Sequence, residues 1–190
     1  MADITQLAVQ KVTKPNIENV LPYYLDGETL ESALDLIAYL RENKMKPSWT
    51  IHNAWKAVNK GKVLYYIRLP VYESHFYRPN QACKTSWEHS WCITPYLTNL
   101  SQYEHLITDE VHKKIILDNL YGCKPYCPKT SCWSETTLTV FDKKLERYCG
   151  GTLKNRSLWI VNPDETEIVS IKKFLALEKQ ARTENSENEK

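Results

Sequence analysis

With five glycines in 190 residues, the chain has no glycine-rich loop of the kind that cradles a phosphate, and neither Gly-x-Ser-x-Gly nor His-Glu-x-x-His occurs in it. The familiar sequence signatures of enzymes are absent. No segment approaches the roughly 18 uninterrupted apolar residues of a membrane span, and the opening MADITQLAVQKVTKPN lacks the apolar run of a signal peptide. These absences lead us to expect a cytoplasmic protein without membrane contact. Charge of one sign is also scarce: 25 Lys and Arg stand against 23 Asp and Glu, and a net charge of +2 gives no reason to expect a nucleic-acid partner.

What is present in excess is aromatic and amphipathic: six Trp and twelve Tyr against three Phe. Trp and Tyr pair a large apolar area with a polar handle, which suits half-wet pockets and interfaces, and equally suits the half-exposed face of an antiparallel sheet.

Residues 1–27, interrupted by Pro15 and Pro22, read as an extended N-terminal arm. From Glu28 to Asn43 the apolar residues Leu30, Ala33, Leu34, Ile37, Ala38 and Leu40 recur at helical intervals, with Asn43 and Pro47 as the stop. Trp49 to Val58 reads as one strand, Asn59-Lys60-Gly61-Lys62 as a turn, and Val63 to Leu69 as the returning strand of a hairpin. Val71 to Ser90 reads as a long loop before a third strand at Trp91-Cys92-Ile93-Thr94. Thr108-Asp109-Glu110 opens a helix carrying Val111, Ile115 and Ile116. A cysteine-rich loop spans 121–151, with a strand inside it at Thr136 to Phe141. A last strand lies at Ser157 to Val161, and Asn162-Pro163-Asp164 starts a final helix. The charged residues 182–190 read as a disordered tail. Short turns between strands imply antiparallel pairing, so residues 28–181 form one α+β domain: an antiparallel sheet around the central hairpin, with helices on one face.

Lys46-Pro47-Ser48-Trp49, Asn53-Ala54-Trp55, Lys60-Gly61-Lys62 and Tyr66-Ile67 are followed downstream by spaced cysteines, Phe141, Cys149 and Asn162-Pro163-Asp164. In this series the chain resembles a group of small uncharacterised bacterial proteins, over about residues 46 to 175. The resemblance implies a bacterial α+β protein and carries no catalytic residue with it.

Two constellations bear on function. Cys123, Cys127, Cys132 and Cys149 are spaced Cys-x3-Cys-x4-Cys-x16-Cys. Four thiolates suit a structural zinc, although the spacing departs from paired Cys-x2-Cys knuckles, and buried or redox-active thiols are the competing reading. The second constellation is Trp49, Trp55, Tyr65 and Trp91 with Arg68, expected to converge on one sheet face either as plain core or as a pocket for a small ligand or protein partner. The leading expectation is a non-enzymatic binding domain using that aromatic face. The alternative is a thiol- or metal-dependent enzyme built on the cysteines.

Overall fold

The computed structural model describes residues 3–70, 91–120, 137–145 and 156–188. Among them are helices α1 (Leu7–Thr13), α2 (Gly27–Glu42), α3 (Leu100–Tyr103), α4 (Glu110–Asn119) and α5 (Glu165–Asn188). The strands are β1 (Ser48–Ile51), β2 (Ala54–Asn59), β3 (Lys62–Arg68), β4 (Cys92–Pro95), β5 (Leu138–Val140), β6 (Lys143–Leu145) and β7 (Ile160–Val161). Five of the strands form one antiparallel sheet in the order β1-β2-β3-β4-β7, and β5 and β6 form a separate hairpin. The architecture is α+β, as the element order implies.

The central hairpin turns at Lys60 (φ +49°) and Gly61 (φ +74°), and two successive positive φ values match the right-handed twist of the strands they join. The expected single strand from Trp49 to Val58 is instead two. Its apolar alternation continues through His52-Asn53, but Asn53 adopts φ +51° and folds the chain back, so that Trp49 pairs with Trp55 across the turn. Asparagine is among the few residues that accept this conformation at modest cost.

The N-terminal segment is no extended arm. After α1, the 3-10 turns Ile17–Asn19 and Leu21–Tyr23 place Ile17, Val20 and Leu21 wholly in the core. Pro15 and Pro22 prevent a long helix without preventing burial. α2 contributes Ala33, Leu36, Ile37 and Leu40, and α5 contributes Ile168, Ile171, Phe174 and Leu175. Asp164 and Glu167 cap α5 reciprocally: the Glu167 amide donates to Asp164 Oδ1 (2.8 Å) and the Asp164 amide to Glu167 Oε2 (3.1 Å).

The expected disordered tail is also replaced, since α5 continues to Asn188. Its anchor is a buried ion pair. Glu178 accepts from Arg182 Nε (2.8 Å), Tyr103 Oη (2.9 Å), and the backbone (3.0 Å) and side-chain (3.1 Å) nitrogens of Asn99. Arg182 in turn donates to the carbonyls of Lys62 (3.0 Å) and Tyr96 (3.2 Å), tying the helix to the ends of β3 and β4. A charged composition suggests a solvated tail only while its charges lack partners; these two have them. No helix among the described residues is long and apolar enough to cross a membrane.

Candidate ligand-binding face

Strand alternation sends neighbouring residues to opposite faces of the sheet, and this divides the expected aromatic set. Trp55, Tyr65 and Trp91 are buried core residues, and Trp49 packs partly buried against them. Three of their polar handles are taken up by the protein itself. Trp55 Nε1 donates to the Pro15 carbonyl (2.9 Å), Trp49 Nε1 to Gln10 Oε1 (3.2 Å), and the Tyr65 hydroxyl to the Met45 carbonyl. Trp91 Nε1 is buried and has no hydrogen-bond partner among the described residues. These four side chains line the sheet's packed side, where Trp49 and Trp55 bond to the N-terminal segment and Tyr65 to Met45, just after α2.

Arg68 belongs to the reverse face. In register across β2, β3 and β4 stand Lys56, Tyr66 and Thr94, with Arg68 one step further along β3. The Arg68 guanidinium lies 4.6 Å from the Tyr66 ring centre and 5.6 Å from that of Trp159, and its Nη1 donates to Thr94 Oγ1 (3.2 Å). Tyr66 and Tyr96 pack tilted, 5.9 Å between centres. Burial pushes the Tyr96 phenol above its ordinary value, against the pull of the Arg68 charge and hydrogen bond. Lys56, Tyr66, Arg68, Tyr96 and Trp159 are all half-buried, whereas Thr94 beneath them is buried.

The charge of this sheet is one-sided. The five strands SWTI, AWKAVN, KVLYYIR, CITP and IV contain Lys56, Lys62 and Arg68 and no Asp or Glu. The face thus combines basic side chains with aromatic rings, and Arg68 is held by two of those rings and by Thr94. The sequence signal for this face was present in the alternation of Tyr66 and Arg68 with Tyr65 and Ile67. Trp159 and Tyr96 were not readable as its members, because they reach it only through the pairing of β4 with β7.

Cys123, Cys127, Cys132 and Cys149 all lie outside the described residues. Among the described residues no three His, Cys, Asp or Glu side chains are grouped as a metal site would require. Cys92, on the reverse face beside Arg68, is buried. His112 Nδ1 meets Ser170 Oγ at 2.8 Å, but that hydroxyl donates to the Thr166 carbonyl (2.8 Å), so the ring nitrogen is the donor and the serine is not primed as a nucleophile. The pair joins α4 to α5.

No family model matches the chain, and neither a curated protein nor a solved structure matches it.

Proposed function

We propose that this protein is a binding module rather than an enzyme, and that its site is the reverse face of the five-stranded sheet around Arg68. The supporting observation is the Arg68 guanidinium beside the Tyr66 and Trp159 rings, with Lys56 opposite Tyr66 on β2. The ligand class this favours combines a flat ring with an anionic group, one part stacking and the other pairing with Arg68 and Lys56. A cytoplasmic setting belongs to the same reading.

A panel of aromatic carboxylates and phosphates, followed by tryptophan emission and thermal shift, tests it. At least one compound should raise the melting temperature of the parent, and Arg68→Gln should weaken its binding by tenfold or more. A silent panel, or full binding by Arg68→Gln, sinks the reading.

We also propose a structural zinc held by Cys123, Cys127, Cys132 and Cys149, supported by four thiols within one short stretch. Protein purified without added metal should carry about one zinc per chain by elemental analysis, as the stoichiometry of a four-thiolate site requires. Cys127→Ser should carry much less, and a metal-free parent would remove the site.

A further inference from the structure

We infer that Asp26-Gly27, at the entry to α2, is a site of covalent self-modification, where the aspartate converts to isoaspartate without an enzyme. Asp26 is the only Asp or Asn in the chain that precedes a glycine.

The reaction is intramolecular and needs only water. The main-chain nitrogen of Gly27 attacks Cγ of Asp26, and a carboxyl oxygen leaves as water with the amide proton and the carboxyl proton. A five-membered succinimide results. Water then opens that ring at one of its two carbonyls. Opening at Cγ restores aspartate, whereas opening at the α-carbonyl leaves the main chain running through Cβ and Cγ. One water is lost and one regained, and nothing is oxidised or reduced.

Three features of the fold leave this step open. The electrophile is unoccupied: Asp26 is exposed, and its carboxylate makes no cap hydrogen bond and no ion pair among the described residues. The nucleophile is also unoccupied, because Gly27 is the first residue of α2, where an amide has no intrahelical acceptor, and no other backbone carbonyl takes it. Space is the third. Gly27 has φ +49°, and a Cβ built on it would meet nothing within 4 Å. A conformation that favours glycine thus keeps the attacking nitrogen free of a neighbouring side chain.

Other Asp and Asn residues are better protected. Asp3 accepts from the Thr5 amide (2.9 Å), Asp109 from that of Val111 (2.7 Å) and Asp164 from that of Glu167 (2.8 Å). Asn53, followed by the small Ala54, is buried with its side-chain amide bonded to Gln10, Tyr24 and Pro70.

The product changes the start of α2. The Asp26 carbonyl now accepts from the Leu30 amide (3.1 Å). In isoaspartate that carbonyl becomes a free carboxylate on a side branch, and one extra main-chain atom separates buried Leu25 from the helix.

The test holds the full chain at 37 °C and pH 7 and follows it by peptide mapping over weeks. Isoaspartate is read by methyl transfer from labelled S-adenosylmethionine through an isoaspartyl methyltransferase, and the succinimide as a species lighter by one water. A peptide of residues 21–33 sets the rate of the unprotected step. Isoaspartate should accumulate at residue 26 within about tenfold of the peptide's rate, a barrier difference of ~1.4 kcal/mol. Asp26→Ser, which keeps a capping residue, should form none there. Gly27→Ala should slow the conversion about tenfold or more, the same barrier step. Melting temperatures of both variants report that they are folded. In the isomerised fraction, hydrogen exchange should show the Leu30 amide losing protection while β2 and β3 keep theirs. A rate at residue 26 more than tenfold below the peptide's, isoaspartate mapped only to other positions, or an unchanged rate in a folded Gly27→Ala overturns the site. Unchanged protection of Leu30 in the isomerised fraction overturns its effect on α2.

Discussion

Two residues at the tip of the central hairpin show how backbone conformation limits residue choice. Lys60 and Gly61 both have positive φ, +49° and +74°, and the turn they form favours Asn-Gly. Lys60→Asn should raise stability by about 0.5–1 kcal/mol, the scale on which residue types differ at special backbone positions, seen as a rise of a few degrees in melting temperature. Gly61→Ala should lower it by about 1–2 kcal/mol. A Cβ on Gly61 would meet nothing within 4 Å, so that loss is a backbone cost and not a clash; an unchanged midpoint for both variants would remove the assignment. Residue-level reading also explains what was missed in the candidate site. Tyr65 and Tyr66 are chemically alike in sequence, yet Tyr65 is wholly buried with its hydroxyl on the Met45 carbonyl, while Tyr66 lies half-buried beneath Arg68. Alternation separates them, but it does not say which face the helices take.

Among the described elements, α1 buries a polar side chain and no apolar one. Its seven residues are too few for a stable isolated helix, and its one buried side chain is Gln10. That amide donates to Asn53 Oδ1 (2.7 Å) and the Ile4 carbonyl (3.0 Å), and accepts from the Asn53 amide (2.9 Å) and Trp49 Nε1 (3.2 Å). Asn53 completes the network by donating to Tyr24 Oη (2.8 Å) and the Pro70 carbonyl (2.6 Å). Gln10→Ala would leave several buried donors and acceptors unmade, at about 1–3 kcal/mol. Hydrogen exchange should then show residues 7–13 losing protection while β2 and β3 keep theirs. Uniform loss across the sheet, or no loss in α1, would contradict a locally docked helix. No apolar periodicity announces this helix, which is why the segment reads as an arm; its partner Asn53 is 43 positions away. α2 and α4, by contrast, were legible from the Leu-Ile stripe and the Asp109 cap, whose Oδ1 accepts from the Val111 amide at 2.7 Å.

On the scale of the whole molecule, buried phenols tie stability to alkaline pH. Burial pushes Tyr65 well above its ordinary value, the Arg41 charge opposing and Glu18 adding to the rise. Burial likewise raises Tyr103, reinforced by the Glu178 carboxylate it donates to. A phenol whose folded value is raised gives up its proton more readily in the unfolded chain. Its contribution to stability is therefore complete below about pH 10 and is lost as pH rises from there towards the folded value. With both phenols in that regime, denaturant titrations should show stability falling above pH 10 by up to about 3 kcal/mol per pH unit. Tyr103→Phe should be less stable at pH 8, having lost its bond to Glu178, but should fall with a slope one proton shallower. A flat profile between pH 9 and 11 would contradict this account of the core. The sequence by itself determined the α+β class, the central hairpin and most helix positions, because apolar periodicity, turn residues and caps act within a few residues of one another. The tertiary structure decided which sheet face became core, where Trp159 and Tyr96 came to lie, and why residues 3–27 and 182–188 fold against the rest of the domain. Those outcomes depend on pairings such as β4 with β7, Gln10 with Asn53 and Arg182 with the Lys62 carbonyl, which join residues far apart along the chain.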